Sequence, residues 1–134
     1  MTFKFSKRSQ ANLDTCHPHL QRLMYVLINF VDFTVIEGVR TVEKQREYVE
    51  KGVSKTMNSM HLPDKDGWSR AVDLAPFPID WNDTGRFYMF VGFVRGIAIM
   101  HSIPIRCGAD WNMNFQIKDQ TFHDLPHYEL VLDD

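Results

Sequence analysis

The sequence predicts an α+β fold, with helices packed on a small, mostly antiparallel sheet. Three observations carry this expectation. Apolar residues recur at helical spacing after Pro18. Four short strand-like runs are scattered along the chain rather than gathered into one block. The resulting order is helices, strand, helix, strand, helix, strand, strand, which fits helices lying on a small sheet.

Each element has a local cause. Ser6 to Leu13 reads as a short helix, with Ser6 and Ser9 both able to cap it. Pro18 suits the first position of the next helix, since its missing N–H would have had no partner there. Leu20, Leu23, Met24, Leu27 and Val31 then form one apolar face. Phe33-Thr-Val-Ile-Glu37 is short and β-branched, a strand ending at Gly38. Thr41 to Lys51 reads as a polar helix stopped by Gly52. Val53 to Ile79 is irregular except for a strand-like run, Arg70 to Ala75. Asn82 or Asp83 can cap a helix from about Gly85 to Met100. That helix is apolar almost all round and is expected to be buried at the centre. Ile103 to Cys107 and Tyr128 to Leu132 read as the last two strands.

Composition narrows the function. The chain has 134 residues, 44% apolar and 24% charged, which is the balance of one globular domain. A net charge of −2 with histidine neutral speaks against a nucleic-acid partner. The most apolar stretch, Phe87 to Met100, is too short to span a bilayer and contains Arg95, so no stable membrane association is expected. The start of the chain shows no apolar segment after its charges, so no secretory signal is expected. Cys16 and Cys107 lie in no zinc spacing and read as two buried thiols of a reducing compartment. The methionines read as core filler.

The chemistry concentrates in two clusters. One is Ser59-Met-His61 followed by Ala71-Val-Asp73. The other is Phe122-His-Asp124-Leu-Pro-His127-Tyr-Glu129. A zinc hydrolase needs about three protein ligands and one open position for water. His61, Asp73 and His127 would supply two imidazoles and one carboxylate. The water then needs a base outside the ligand set, and Asp124, three residues before His127 on a turn forced by Pro126, is placed to be one. A second arrangement stays open. His123 and His127 are four apart, as in helical HExxH sites, although Pro126 breaks such a helix and Asp124 stands where that motif has Glu. Period two on the last strand puts His127 and Glu129 on one face and Tyr128, Leu130 and Leu132 on the core face. Glu129 is then free to orient a ligand or a neighbouring arginine.

Together, Ser59-x-His61, Ala71-x-Asp73 and Asp124-x-Pro-His127-x-Glu129 resemble the M15 family of zinc peptidases. That family includes D-alanyl-D-alanine carboxypeptidases and dipeptidases, and bacteriophage L-alanyl-D-glutamate endopeptidases. The phage branch is matched further by Phe3-Lys-Phe-Ser-Lys, Gly38-Val-Arg40-Thr41, Ser54-Lys55 and Cys107-Gly-Ala-Asp110-Trp111-Asn112. The resemblance covers essentially the whole chain and is similar in kind to the endolysins of T5-like and T4-like phages. One departure stands out. The family segment is a compact His-x6-Asp with Gly two residues before the Ala. Here eleven residues separate His61 from Asp73, and Ser69 occupies the glycine's position. The added residues, within 62–70, raise the question of whether Asp64 or Asp66 reaches the cleft.

The resemblance implies a fold like that of D-Ala-D-Ala peptidases and the Hedgehog signalling domain, with residues 1–134 as a single catalytic domain. It implies Zn2+ held by His61, Asp73 and His127, with Asp124 as general base. Arg40 would stabilise the oxyanion or hold a substrate carboxylate, and Ser59 would contact substrate. The expected substrate is the peptidoglycan stem peptide, cut at L-Ala–D-Glu. The expected setting is a monomer in the host cytoplasm until a holin opens the inner membrane, then the periplasm and cell wall. Two alternatives differ in class. One is a D-Ala-D-Ala carboxypeptidase or dipeptidase with the same zinc chemistry. The other is a non-catalytic, zinc-binding, Hedgehog-like module, which would have no use for Asp124. Asp110 and Trp111 are expected to form a structural turn near the cleft. His17, His19, His101 and His123 are read as non-ligands.

Overall fold

The computed structural model describes residues 3–119 and 123–133. Helix α1 spans Lys7–Leu13 and is capped by Ser6, whose hydroxyl accepts from the Ser9 N–H. Helix α2 spans Pro18–Leu27 with its proline in the first turn. Strand β1 is Phe33–Glu37, and helix α3 is Val42–Glu50, capped by Thr41. Gly52, at a φ of 74°, follows α3 in the left-handed conformation that glycine tolerates best. Strand β2 is Ala71–Pro76. Helix α4 is Thr84–Met100, capped by Asp83. Strands β3, Ile105–Cys107, and β4, His127–Leu130, complete the set. This is the α+β arrangement expected, and every element falls within a few residues of its predicted place.

The four strands form one antiparallel sheet in the order β1-β2-β4-β3. One face carries Val35, Val72, Leu74, Tyr128, Leu130, Ile105 and Cys107 into the core. There they meet Leu20, Leu23, Met24 and Leu27 of α2, and Phe90, Val91, Val94 and Ala98 of α4. Each of these large apolar side chains contributes roughly 1.5–3 kcal/mol when fully buried. Alternation sends the intervening residues to the opposite face. Register then sets Asp73 beside His127, and Glu129 beside both Ala71 and Arg106.

One irregularity on β1 matters for the site. Phe33 and Val35 point into the core, so strict alternation would send Glu37 there as well. The pairing slips between Val35 and Glu37, and Glu37 lies opposite Asp73 instead. This β-bulge turns the carboxylate to the face that carries Asp73.

Two expectations need correction. Helix α4 is not buried all round: Met89, Phe93, Ile99 and Met100 are exposed. The helix covers the sheet from one side, and its outer face is largely open, with Phe93 meeting the ring of Phe30 edge to face. The methionines are mostly not core filler either. Met24 is fully buried, whereas Met57, Met89, Met100 and Met113 are exposed. Of the two arginines of α4, Arg86 lies in the first turn, whereas Arg95, in the middle of the helix, is buried and donates to Asp110 at 2.7 Å, with its guanidinium 3.9 Å from the centre of the Phe115 ring. Both cysteines are free and buried, as expected. No helix among the described residues is long and apolar enough to cross a membrane.

Candidate metal centre

His61, Asp73 and His127 converge although they come from a loop and two strands. Each offers one ligand atom, and these atoms all lie within 4.8 Å of one another, close enough to hold a metal ion. Asp73 and His127 are cross-strand neighbours, so the sheet register alone brings them together. His61 is brought in by the loop before β2, which is tied to the ends of the first two strands. Arg40 N–H donates to the His61 carbonyl at 2.8 Å, and Arg70 N–H to the Met60 carbonyl at 3.2 Å.

The protein sets the tautomer of both rings. His61 Nδ1 lies 2.8 Å from the Gly38 carbonyl, which can only accept. Nδ1 therefore carries the proton, and the Nε2 lone pair faces Asp73 Oδ1 at 3.2 Å. In His127 the roles are reversed. Nε2 lies 2.7 Å from Glu129 Oε1, and Nδ1 faces the same Asp73 oxygen at 3.3 Å. Two imidazole lone pairs and a carboxylate thus point at one place, each ring braced from behind by an oxygen acceptor. This is how metal-binding histidines are oriented, and the donor set fits a divalent cation. In the absence of a cation the three groups compensate one another. Burial opposes charge on His127, but hydrogen bonds to Asp73 and Glu129 outweigh it and raise the ring to about 9. Burial works against the Asp73 carboxylate too, yet the two histidines hold it well below the usual carboxylate range.

The remaining predicted residues surround this centre in one cleft of about 1320 Å³. Asp124 sits on the turn into β4, its carbonyl accepting from the His127 N–H at 3.0 Å. Burial pushes its carboxyl up and the charge of Asp73 pushes it further, against the pull of His127, His61 and Arg40. The turn is pressed against Gly108. A Cβ added there would lie 2.1 Å from the Asp124 carbonyl oxygen, so only glycine lets the two backbones meet. Gly38 makes a similar approach beneath His61, where an added Cβ would lie 2.2 Å from Thr15 Oγ1. Arg40 lines the cleft but its guanidinium is heavily engaged. It pairs with Glu37 through Nε and Nη2, donates to Gln45 Oε1 at 2.7 Å and reaches Ser59 Oγ at 3.5 Å. Ser59 Oγ also accepts from the His61 N–H at 3.1 Å, so it links the arginine to the loop that carries His61.

The other expectations resolve as follows. His123 lines the cleft without joining the triad, and its Nδ1 lies 3.0 Å from the Tyr88 hydroxyl. The HExxH-like alternative therefore has no helix, since 123–126 precede a strand. Asp64 turns inward on its own loop. It accepts from the N–H groups of Asp66 and Trp68 at 2.9 and 3.0 Å and from Arg70 Nε at 3.0 Å. Neither Asp64 nor Asp66 is among the residues lining the cleft. Asp110 is structural: besides Arg95 it accepts the N–H groups of Asn114 and Phe115. Trp111 lines the cleft with its ring 5.4 Å from that of His127. Phe122, part of the second cluster, lies outside the described residues.

Three functional neighbours escaped the sequence reading. Glu37 was hidden by the bulge. Gln45 is fully buried on an otherwise polar helix, and no pattern in the sequence marks it. Arg106 was findable, because alternation with Ile105 and Cys107 already assigns it to the face opposite the core.

A family model described as phage L-alanyl-D-glutamate peptidase matches residues 1–131. The chain is 32% identical over 142 residues to the L-alanyl-D-glutamate peptidase of Escherichia phage T5, covering 98% of this chain and all of that protein. The crystal structure of the Serratia marcescens L-Ala D-Glu endopeptidase ChiX superposes with a TM-score of 0.75 at 30% identity, covering 95% of this chain and 89% of that one. With a match over nearly its whole length, the chain belongs to the phage L-alanyl-D-glutamate peptidase family.

Proposed function

We propose that this protein is a phage endolysin that hydrolyses the L-Ala–D-Glu bond of the peptidoglycan stem peptide, with zinc as its metal. The observation that carries the reading is the convergence of two imidazole lone pairs and one carboxylate beside a separate, partly buried carboxylate, Asp124. His61, Asp73 and His127 hold the metal. Nitrogen-rich donor sets of this kind suit zinc better than magnesium or calcium. When bound, zinc supplies a Lewis acid for the scissile carbonyl and lowers the pKa of the attacking water.

The protein's own residues do the rest. Asp124 accepts a proton from the attacking water and returns it to the departing amine, so the peptide C–N bond breaks with a neutral leaving group. Its environment suits this role, because a carboxylate in a partly desolvated site is a better base than one in water. Arg40 is fixed by Glu37, Gln45 and Ser59 and stabilises the developing oxyanion from a position that costs little reorganisation. Ser59 positions Arg40 and lines the substrate path. No covalent enzyme intermediate is required.

The protein acts as a monomer, accumulating in the host cytoplasm and reaching the cell wall when the inner membrane opens. Sedimentation at working concentration and fractionation of infected cells test these two points, with a stable dimer or a membrane-bound pool as the contrary outcomes. Mass spectrometry of digested peptidoglycan tests the activity. Fragments with a new N-terminal D-Glu are expected. Release of D-Ala alone would assign a carboxypeptidase, and an intact wall in the presence of zinc-loaded protein would leave a binding module.

A further inference from the structure

We propose that Arg106 is the specificity-determining residue of this cleft, and that it recognises the free α-carboxylate of the substrate residue on the amine side of the scissile bond. The inference rests on the L-Ala–D-Glu reading above. In such a stem peptide the glutamate continues the chain through its side-chain carboxyl. Its α-carboxylate is therefore left free, two bonds from the scissile nitrogen. An enzyme for this bond gains by reading that charge, since it distinguishes the linkage from an ordinary peptide.

Of the three arginines that line the cleft, Arg40 and Arg106 are tied by hydrogen bonds to His61 and, through Glu129, to His127, and these two differ in what they have left to offer. Arg40 has donors on all three nitrogens engaged, which leaves one Nη2 N–H for the oxyanion and no pair of donors for a further carboxylate, and its side chain is only 10% exposed. Arg106 is 41% exposed and makes one described ion pair, Nη2 to Glu129 Oε2 at 2.6 Å. No hydrogen bond from Nη1 is found among the described residues, and Nε is buried without an acceptor among them. A guanidinium with five N–H donors and one anchoring pair is well suited to take a second carboxylate through its open end.

Position supports the same assignment. Arg106 and Glu129 are cross-strand neighbours, and Glu129 is the acceptor for His127. Two hydrogen bonds thus connect the arginine through Glu129 to His127 of the triad, on the cleft side of the sheet. The Trp111 ring lies against both, 5.8 Å from the Arg106 guanidinium and 5.4 Å from the His127 ring. The aromatic wall packs the arginine and lowers the local dielectric, which strengthens a charge-assisted contact. The remaining arginine and lysines of the cleft, Arg8, Lys44 and Lys55, come from α1, α3 and the segment after α3 rather than from the β3 edge of the sheet.

The test compares two synthetic stem peptides that differ only in the glutamate α-position, one a free carboxylate and one a carboxamide. The ratio of their kcat/KM values is read within each enzyme, so differences in metal content or folded fraction cancel. Wild type is expected to favour the carboxylate by about 10- to 100-fold, the range of a charge-assisted hydrogen bond. Arg106→Gln should lose that preference, to within about threefold, by slowing on the carboxylate peptide while cutting the carboxamide nearly as before. Arg106→Lys should retain part of the preference. Equal slowing on both peptides in Arg106→Gln, with the ratio kept, would overturn the proposal and reduce Arg106 to a brace for Glu129. A wild-type enzyme indifferent to the two peptides would overturn it as well. Cleavage of neither peptide by zinc-loaded wild type would instead remove the L-Ala–D-Glu reading, and this inference with it.

Discussion

Asn in place of Asp124 separates general base from metal ligand within one four-residue turn. The backbone role of Asp124 survives the change, since its N–H donates to the Gly108 carbonyl at 2.9 Å and its carbonyl accepts from His127. No hydrogen bond to its carboxylate is found among the described residues, so stability should move by no more than about 0.5 kcal/mol. The triad of His61, Asp73 and His127 is untouched, and zinc should bind nearly as well as before. The amide cannot accept the water's proton. A missing general base costs about 10²–10⁴ in rate, equivalent to roughly 3–5 kcal/mol of transition-state energy. His127→Ala is the contrasting variant. It removes a ligand and should lose metal and activity together. The assay is turnover of a defined muropeptide, with zinc per chain and thermal midpoint measured on the same samples. If Asp124→Asn released zinc as readily as His127→Ala, Asp124 would be a ligand and the division of roles would be wrong. If it kept full activity, another carboxylate would be the base, and Glu129 would be tested next.

Other expectations follow from the same geometry. Glu129→Gln should weaken zinc affinity by about 10- to 100-fold, because the brace behind His127 loses its charge; competition with a chelator measures this, and unchanged affinity would contradict it. Gly108→Ala forces a Cβ onto the Asp124 carbonyl, so it should cost about 1–3 kcal/mol and displace the base, read as a lower thermal midpoint with a larger fall in turnover. In the metal-free protein His127 is raised from 6.5 to about 9, so its contribution to stability is complete below pH 6.5 and is lost as pH rises through about 9. On the proposed zinc reading, binding at His127 displaces that proton, so apparent affinity should climb with pH across the same window, and a flat profile by titration would refute the coupling. Burial raises Cys16 and Cys107 to about 12, so neither should react with a thiol reagent at pH 8 until the chain is denatured.

Much of this protein is determined by the order of its residues. Helix caps at Ser6, Thr41 and Asp83, the proline at the start of α2 and the glycine after α3 act within one turn of chain, and local sequence suffices to place them. Period two along β4 likewise assigns His127 and Glu129 to one face before any partner is known. The candidate ligands His61, Asp73 and His127 were legible for a different reason, since few residue types bind zinc and the spacing resembles that of a family. What local sequence does not contain is the environment those residues meet. The tautomers of His61 and His127 depend on the Gly38 carbonyl and the Glu129 carboxylate, and for His61 that acceptor lies 23 positions away. Glu37 reaches the cleft only because β1 slips its register against β2, a consequence of packing that strict alternation would misassign. The outer face of α4 reads as core by composition, yet it is exposed, because one small sheet can cover only one side of a helix. Gly108 and Arg106 gain their roles from Asp124 and Glu129, neighbours distant in sequence. Contacts across strands and loops are long-range, and only the folded chain decides which polar group finds which partner.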